Sequence, residues 1–372
     1  MMRCRIETSM AGPQRQIWRC GEIGRALRAC AMNKPPWCQH GSRLPRDRSA
    51  SPISRKDPAR KRMRDVKKDS RLRRGKGVPR RSGMSIVLAS LAAGAATLAA
   101  PATPADPQAA RDLVRRCEGK ESFSDPAPPA RIFGNVWYVG TCNVTVLLVT
   151  GPAGHILVDA ATEEAVPSIL DNIRAAGFEP KDVRWIVSSH EHFDHVGGLA
   201  ALARATGARV AATRAAAKVI RSGKVSPADP QAQEIHGSRP ARVDRLIDTG
   251  DVVRAGPLAL TAFATPGHTE GSTSWHWKSC DGADCRTVTY VDSVTALPLG
   301  TYRFADHPER VAMFRNTFAQ VEALECGILL TPHPSASAMF ERMSAERRLD
   351  EPGACKALAA GARDRLEKAL AQ

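Results

Sequence analysis

Four residues of types that bind metals fall within six positions, in the string HEHFDH at residues 190–195. Imidazole and carboxylate groups suit zinc, and alternation along an extended backbone places His190 and His192 on the same side. Asp194 and His195 then point elsewhere, which indicates a second metal ion. A polar loop that is merely rich in histidine is the alternative, but the density of ligand types favours a metal site.

The segments on either side of this string predict how it is held. The apolar run at 183–187 predicts a buried strand, and the Ala/Leu-rich stretch after the string predicts a helix. The four groups therefore lie in a loop at a strand end, where functional side chains are often mounted. His268 in TPGHTEGS and His333 in TPHPSAS also follow strand-like runs. These two histidines are the candidates to complete the site.

The other histidines among the 10 in the chain are weaker candidates, because one lies in the basic N-terminal region, one opens a strand pattern and three lack comparable neighbours. Each is expected to be solvated or packed rather than to bind a metal. They are His40, His155, His236, His276 and His307.

Several motifs together resemble those of class B, subclass 3 metallo-β-lactamases. They are HEHFDH, the TPGHTEGS and TPHP turns and FGNVWYVGT, and the resemblance covers about residues 106–372. The first motif alone marks only the wider superfamily, which also holds glyoxalase II-like thioesterases, lactonases and nucleases. TPGHTEGSTSW, taken with YVDSVT and TPHPSAS, favours the β-lactamase subclass.

The resemblance implies a zinc hydrolase that opens the amide of penicillins, cephalosporins and carbapenems and confers antibiotic resistance. Two zinc ions, each with three protein ligands, would leave positions open for a bridging hydroxide and the substrate. Asp194 would also orient the attacking hydroxide. The implied ligands are His190, His192 and His268 for the first ion and Asp194, His195 and His333 for the second.

Substrate contacts are expected at three positions. Ser293 stands where another subclass has a Cys ligand, and the family suggests that it hydrogen-bonds the substrate carboxylate with its neighbour Thr295. Many relatives have a second Ser at the latter position, and Thr keeps the hydroxyl. Gln231, in the loop of residues 222–240, is a candidate contact for substrate or water. This loop and the pair Trp137–Tyr138 are expected to flank the cleft.

A lactonase or glyoxalase II-like thioesterase of the same fold is the alternative function. Such an enzyme would use Asp292 as a bridging metal ligand, and Asp292 also ends a strand pattern. The neighbouring hydroxyl residues and an exported, disulfide-bearing context favour the β-lactamase. A non-enzymatic zinc-binding protein would need a saturated metal shell, which three ligands per ion do not provide.

Charge is distributed unevenly along the chain. The formal net charge is +16, yet residues 1–84 contain 24 Lys and Arg against 6 Asp and Glu, whereas residues 85–372 contain 30 against 32. Residues 1–83 show no sustained apolar period and are predicted to be a basic disordered leader or an over-extension of the reading frame. Aromatic residues are sparse there, so nucleic acid is not the expected partner; the resemblance implies a small-molecule β-lactam instead.

Residues 84–105 have the pattern of a signal peptide, because they follow the basic pair Arg80–Arg81 and contain an apolar run and Ala-x-Ala. Cleavage near Ala102 or Ala105 would release the catalytic domain, residues 106–372, into the periplasm. The apolar run is too short and too rich in Ala and Gly for a transmembrane helix. No stable membrane association is therefore expected after cleavage, and a monomer is the default.

Six cysteines lie in the catalytic region, and an even number in an exported domain indicates disulfides. Cys280 and Cys285 flank a turn between two strand patterns and are predicted to pair locally. The family resemblance suggests the pairs Cys117–Cys142 and Cys326–Cys355.

Strand and helix patterns alternate after residue 130. The runs of apolar strands with helices on both sides imply an α/β fold, a four-layer αββα sandwich with the ligands at one sheet edge. Strand patterns occur at 131–140, 143–150, 155–160, within 243–277 and at 287–291, and helix patterns at 162–177, 307–324 and after Asp350.

Overall fold

A computed structural model of the chain shows two units, residues 1–91 and residues 92–372. In the first unit, strands β1 (Arg5–Ile6) and β2 (Trp18–Arg19) pair antiparallel. The leader and signal peptide otherwise lie outside the described residues, so their boundaries stay predictions. The described residues are 5–6, 18–19, 107–344 and 349–371.

The larger sheet of the second unit has seven strands that follow one another in chain order. They are β3 (Ala130–Phe133), β4 (Val136–Tyr138), β5 (Leu147–Val149), β6 (His155–Val158), β7 (Val183–Val187), β8 (Arg209–Thr213) and β9 (Arg245–Ile247). Strands β3 to β6 pair antiparallel through short turns. From β6 to β9 the pairs are parallel, so longer crossover connections join them.

The smaller sheet has five strands, also in chain order. They are β10 (Val252–Ala255), β11 (Leu258–Ala264), β12 (Thr273–Asp281), β13 (Asp284–Tyr290) and β14 (Ile328–Leu330). The first four form an antiparallel meander, and β14 pairs parallel to β13. The ends of β13 and β14 therefore point toward the same edge.

Helices occupy the connections and the C-terminal region. They are α1 (Pro107–Cys117), α2 (Val166–Ala175), α3 (Phe193–Val196), α4 (Leu199–Thr206), α5 (Arg214–Ser222), α6 (Pro308–Ala323), α7 (Met339–Ser344) and α8 (Ala354–Leu370). None of the helices in the described part of the chain combines the length and apolar character that crossing a bilayer requires.

Alternation along the strands divides the apolar side chains among separate cores. In β7, Trp185 and Val187 enter a core shared by both sheets, whereas Ile186 packs with the helices outside the larger sheet. A third core lies outside the smaller sheet, where Phe314 of α6 packs with Leu366 of α8. Two sheets between two helical layers confirm the predicted α/β, four-layer αββα sandwich.

Three disulfides reinforce this unit. Cys280–Cys285 closes the β12–β13 hairpin, as its turn-flanking position predicts. The two pairs suggested by the family resemblance, Cys117–Cys142 and Cys326–Cys355, are also confirmed.

Candidate metal site

The six predicted ligands come together at one edge of the two sheets. HEHFDH follows β7 directly, and His268 lies in the turn between β11 and β12. His333 follows β14, whose parallel pairing with β13 brings the ends of both strands to this edge. Because several strands end here, segments far apart in sequence deliver side chains to one place.

His190, His192 and His268 form what we call the first ligand set. The ring centroid of His190 lies 4.8 Å from that of His192 and 4.7 Å from that of His268. The centroids of His192 and His268 are 4.8 Å apart. One potential ligand atom from each residue lies within 4.8 Å of the other two, so the three imidazoles could bind a single ion.

Asp194, His195 and His333 form the second ligand set. The Oδ2 atom of Asp194 lies 3.3 Å from Nε2 of His195 and 3.5 Å from Nε2 of His333. The two Nε2 atoms are 3.3 Å apart. His190 also borders this set, because its ligand atom lies within 4.8 Å of those of Asp194 and His195. The two sets are therefore adjacent parts of one cluster.

Each histidine of the two sets has one ring nitrogen occupied by an acceptor that belongs to neither set. The other nitrogen is left to face the cluster, and the acceptor fixes the orientation and tautomer of the ring, as it does for histidines that bind metals. The pairs are His190 Nδ1 with Asp292 Oδ1 (2.8 Å), His192 Nε2 with Asp229 Oδ2 (2.9 Å), His195 Nδ1 with Asp159 Oδ2 (3.1 Å), His268 Nδ1 with Thr295 O (3.0 Å) and His333 Nδ1 with Asn143 O (2.8 Å).

The donor set fits a metal, and one atom requires a partner. Nε2 of His190 is buried and has no hydrogen-bond partner among the described residues. A buried polar atom without a partner costs about 1–3 kcal/mol, which a bound cation would offset. Five imidazoles and one carboxylate, without a thiolate, are ligands typical of zinc. The histidine-rich cluster therefore implies a zinc site.

The imidazoles of the first ligand set favour their neutral form. Burial and the nearby His195 hold the pKa of His190 well below its usual value. Burial and the nearby His192 lower the pKa of His268 to about 3. Behind His190, burial raises the pKa of the Asp292 carboxyl to about 8. A neutral imidazole is the form that binds metal, so these histidines are ready to act as ligands.

The second ligand set is charged. Burial alone would lower the pKa of His195, but the carboxylates of Asp194 and Asp159 outweigh burial and raise it to about 10. Burial would likewise raise the pKa of Asp194, but the charge and hydrogen bond of His195 hold it well below its usual value. Without metal, Asp194 and His195 thus form a buried ion pair.

Glu191, the residue between the first two ligands, has a positioning role that the sequence did not reveal. Its carboxylate accepts hydrogen bonds from Oγ1 of Thr269 (2.7 Å) and from the backbone N–H of Gly271 (3.0 Å). These bonds hold the turn that carries His268 against the loop of HEHFDH. A Cβ atom at Gly271 would come within 2.4 Å of Glu191 Oε2, so only glycine permits this approach.

Asp159 is a second residue that sequence reasoning missed. It follows β6, is completely buried, and accepts hydrogen bonds from Tyr290 OH (2.7 Å), Ser189 Oγ (2.7 Å) and His195 Nδ1 (3.1 Å). A single carboxylate thus joins the ends of β6, β7 and β13. The motif LVDA contains this aspartate, but no spacing in the sequence connects it with the histidines.

The predicted substrate contacts lie near the ligands. Ser293 and Thr295 are half-buried beside the first ligand set, and the backbone carbonyl of Thr295 binds His268. Gln231 is buried, and its backbone N–H donates to Asp229, the residue that holds His192. The substrate-binding roles of these three side chains stay predictions.

The expectation that Trp137 and Tyr138 flank the cleft is wrong. Tyr138 is completely buried in the core between the sheets, and Trp137 packs edge-on against Phe178 on the opposite face. Adjacent strand residues point to opposite faces, so neither side chain reaches the strand ends. Phe123 lies at the site instead, with its ring centroid 5.7 Å from that of His333.

Comparisons with known proteins agree with this geometry. The family model of the metallo-β-lactamase superfamily matches residues 139–282. The metallo-β-lactamase MIM-1 from Novosphingobium pentaromativorans is 47% identical, with a TM-score of 0.68, over 70% of this chain and 97% of that one. BJP-1, a subclass B3 enzyme of Bradyrhizobium japonicum, is 31% identical with a TM-score of 0.61, over 68% of this chain and 96% of that one. A hydroxyacylglutathione hydrolase of Anaeromyxobacter dehalogenans is 28% identical over 59% of this chain and 87% of its own length.

Proposed function

Because this chain belongs to the metallo-β-lactamase superfamily and its structural neighbours are subclass B3 enzymes, we propose that it is a zinc-dependent β-lactamase. Its substrates would be penicillins, cephalosporins and carbapenems, and its activity would confer antibiotic resistance. Two zinc ions would bind, the first to the first ligand set and the second to the second ligand set.

The observation that carries this proposal is the convergence of two three-residue ligand sets whose histidines are all oriented from outside. Three protein ligands leave coordination positions for water and substrate, as catalytic zinc sites require. Neither set contains a thiolate, which agrees with the ligands that the family resemblance implies.

Zinc bound there would lower the pKa of a coordinated water to about 7 and polarise the amide carbonyl. The residues of the chain supply orientation. Asp194, ionised at neutral pH, can accept a hydrogen bond from the attacking water. The hydroxyls of Ser293 and Thr295 can hold the substrate carboxylate beside the first ligand set.

Neither of the two serines that directly precede HEHFDH is available as a nucleophile. Ser189 is completely buried, and its hydroxyl donates to Oδ2 of Asp159 at 2.7 Å. Ser188 is also buried at the end of the same segment. Hydrolysis by activated water, without an acylated residue, is therefore the mechanism we propose.

A lactonase or thioesterase is the competing function, because several curated relatives are hydroxyacylglutathione hydrolases and another is an N-acyl homoserine lactonase. That function would use Asp292 as a bridging ligand. Here Oδ1 of Asp292 engages Nδ1 of His190 at 2.8 Å, the ring nitrogen that faces away from the ligand cluster. This contact favours an orienting role for Asp292 and supports the β-lactamase.

A substrate panel on the zinc-loaded protein tests the proposal. We expect hydrolysis of nitrocefin, a penicillin and a carbapenem, and little hydrolysis of an N-acyl homoserine lactone or an S-acyl glutathione. EDTA should suppress turnover and added zinc should restore it, whereas clavulanate, which acylates serine, should have little effect. Mass spectrometry of enzyme quenched during turnover should find no adduct. Preferential thioester hydrolysis, or an acylated serine, would contradict the proposal.

Export to the periplasm is a further part of the proposal. Three disulfides support it, since such bonds persist in oxidising compartments. N-terminal sequencing of the protein from the periplasmic fraction should locate cleavage near Ala102 or Ala105. A chain beginning at Asp106 should keep full specific activity, because every proposed ligand lies beyond it. Cytoplasmic retention of an uncleaved chain would contradict export.

A further inference from the structure

Arg310 of α6 is a buried cation that contacts two segments leading to the first ligand set. Only 3% of its surface is exposed. Its Nη2 atom donates to the carbonyl oxygen of Ala228 at 2.8 Å, and Nη1 donates to that of Gly267 at 3.3 Å. The carboxylate of Glu270 is 3.9 Å away and largely exposed, so it contributes little. Two backbone carbonyls are therefore the main partners of this guanidinium.

Each of these carbonyls belongs to the residue just before one that either orients or forms part of the first ligand set. Ala228 precedes Asp229, whose carboxylate holds Nε2 of His192 at 2.9 Å. Gly267 precedes His268, itself a member of the set. We call residues 223–240 the Asp229 loop and residues 265–272 the His268 loop. The guanidinium therefore hydrogen-bonds to both loops, at the residues just before Asp229 and His268.

Other side chains of α6 support only the His268 loop. Thr317 donates to the carbonyl of Pro266 at 2.7 Å. Phe314 packs on Gly267, where a Cβ atom would come within 2.7 Å of its ring. Among the residues that the structure describes, Arg310 is the α6 side chain that hydrogen-bonds to both loops. Its planar guanidinium has donors that diverge enough to reach two carbonyls at once, which a lysine ammonium cannot reproduce.

We propose that Arg310 is a positioning residue. It holds His192 and His268 in the relative positions that allow them to bind one metal ion, and so it sets the metal affinity of the first ligand set. It acts on His192 through Asp229 and on His268 through the adjacent backbone. The second ligand set has no such dependence, because His195 and His333 are oriented by Asp159 and by the backbone of Asn143. The inference rests on the proposed zinc site, and only its kinetic part rests on β-lactam hydrolysis.

The test compares Arg310→Met and Arg310→Lys with the matched control Arg315→Met. Arg315 lies on the same helix, but it is exposed and pairs with Glu367 at 3.1 Å. Zinc affinity is measured by competition with a chromophoric chelator. The His333→Ala background leaves the first ligand set intact, and the His268→Ala background leaves the second. The absorption spectrum of the Co²⁺-loaded protein reports the geometry of the first set independently of turnover.

We expect Arg310→Met to weaken zinc binding at the first ligand set by about 10–100-fold, the range typical of losing an outer partner of a metal ligand. Binding at the second set should not change. The Co²⁺ spectrum of the first set should shift, Arg310→Lys should recover part of the affinity, and the control should match the native chain.

A folded Arg310→Met chain with native affinity and spectrum at the first set would overturn the inference. Equal weakening at both sets would also overturn it, because that result indicates general loss of stability. If Arg310→Met does not fold, the same comparison is made with Arg310→Lys. Weaker zinc binding at the first set alone supports the inference, whereas native binding there or equal weakening at both sets overturns it. Nitrocefin turnover is recorded in parallel. Its absence from the native chain would count against the proposed function but leave the metal measurements valid.

Discussion

The two ligand sets lie side by side but are held in different ways. In the first set, His190 and His192 are oriented by the buried carboxylates of Asp292 and Asp229. These two carboxylates come from different segments, and neither belongs to the loop of HEHFDH. In the second set, Asp194 and His195 are adjacent in sequence and share the short helix α3. Each set thus takes two ligands from the loop of HEHFDH and one from another loop, but two carboxylates orient the first set, whereas one, that of Asp159, orients the second.

Their charges differ as well. The first set offers three imidazoles, of which His190 and His268 favour the neutral form, so the ligands do not reduce the charge of a bound ion. The second set includes the ionised carboxylate of Asp194, which attracts a cation directly. Geometry thus governs binding at the first set, whereas charge contributes strongly at the second. Two kinds of experiment should therefore distinguish the two ligand sets. One is substitution of residues that orient the ligands, and the other is a change of pH.

Removal of a ligand should have the largest effect, whichever of the two sets the ligand belongs to. We expect His190→Ala, His268→Ala and His333→Ala each to reduce turnover by more than about 100-fold, beyond the 10–100-fold that follows from losing an outer partner. Each removes one of three protein ligands, so elemental analysis should give fewer than two zinc ions per chain. Circular dichroism should show that the fold is retained.

His276→Ala provides the control for these substitutions. His276 is a half-buried histidine of β12, and its ring faces Phe263, away from the ligands. Turnover and metal content should stay native. A ligand variant that kept two zinc ions and native turnover would show that the assignment of that ligand is wrong.

Removal of an outer carboxylate should have a smaller effect, confined to one set. Asp229→Ala should weaken zinc binding at the first set by about 10–100-fold, because His192 loses the acceptor that orients it. Asp229→Asn should lose less zinc affinity, because its amide oxygen can still accept a hydrogen bond from His192. Asp171→Ala, at an exposed site on α2, is the control. Chelator competition in the His333→Ala and His268→Ala backgrounds measures the zinc affinity of the first and second set, respectively. An equal loss of affinity at both sets would contradict an effect confined to the first.

Asp159→Ala should act on the second set and also on stability. The substitution leaves the hydroxyls of Tyr290 and Ser189 buried without their acceptor, at about 1–3 kcal/mol each. We therefore expect a lower free energy of unfolding together with weaker binding at the second set. Urea denaturation of the metal-free protein measures the first effect. A native free energy of unfolding would show that other groups replace the carboxylate.

The sequence predicts the candidate ligands because residues of ligand types follow apolar runs. The strand at 183–187 has the predicted bounds, and both His268 and His333 follow strands. The acceptors that orient the histidines are not predictable in this way. Asp229 lies 37 positions after His192 in an irregular loop, and only folding brings the two together.

One error of expectation has a simple physical origin. Trp137 and Tyr138 are neighbours in a strand, so the pleat sends them to opposite layers and away from the strand ends. Residues 209–222, for which no element was predicted, form β8 and α5. Local pattern thus identifies which residues can do chemistry, whereas tertiary packing decides which residues orient them.

The smallest expected difference between the two sets is in how their metal affinity depends on pH, because each set releases protons when it binds metal. In the metal-free protein at pH 7, the second set carries one proton on His195, whose pKa is about 10. Beside the first set, one proton resides on Asp292, whose pKa is about 8, because His190 favours its neutral form. Binding of metal to Nε2 of His190 requires Nδ1 to donate to an ionised Asp292. Each set should therefore release about one proton at pH 7 when it binds metal.

The two dependences on pH should separate above pH 8. Metal competes with protons, so the affinity of each set should rise about tenfold per pH unit while its proton is present and level off once the pH exceeds its pKa. The first set should level off at about pH 8 and the second at about pH 10. The ratio of second-set to first-set affinity should thus be constant from pH 6 to 8 and rise from pH 8 to 9. Competition titrations in the His333→Ala and His268→Ala backgrounds give this ratio, in which corrections for metal hydrolysis cancel. A ratio that stayed constant to pH 9 would mean that both sets lose their protons over the same range, and that their different carboxylate surroundings do not distinguish them.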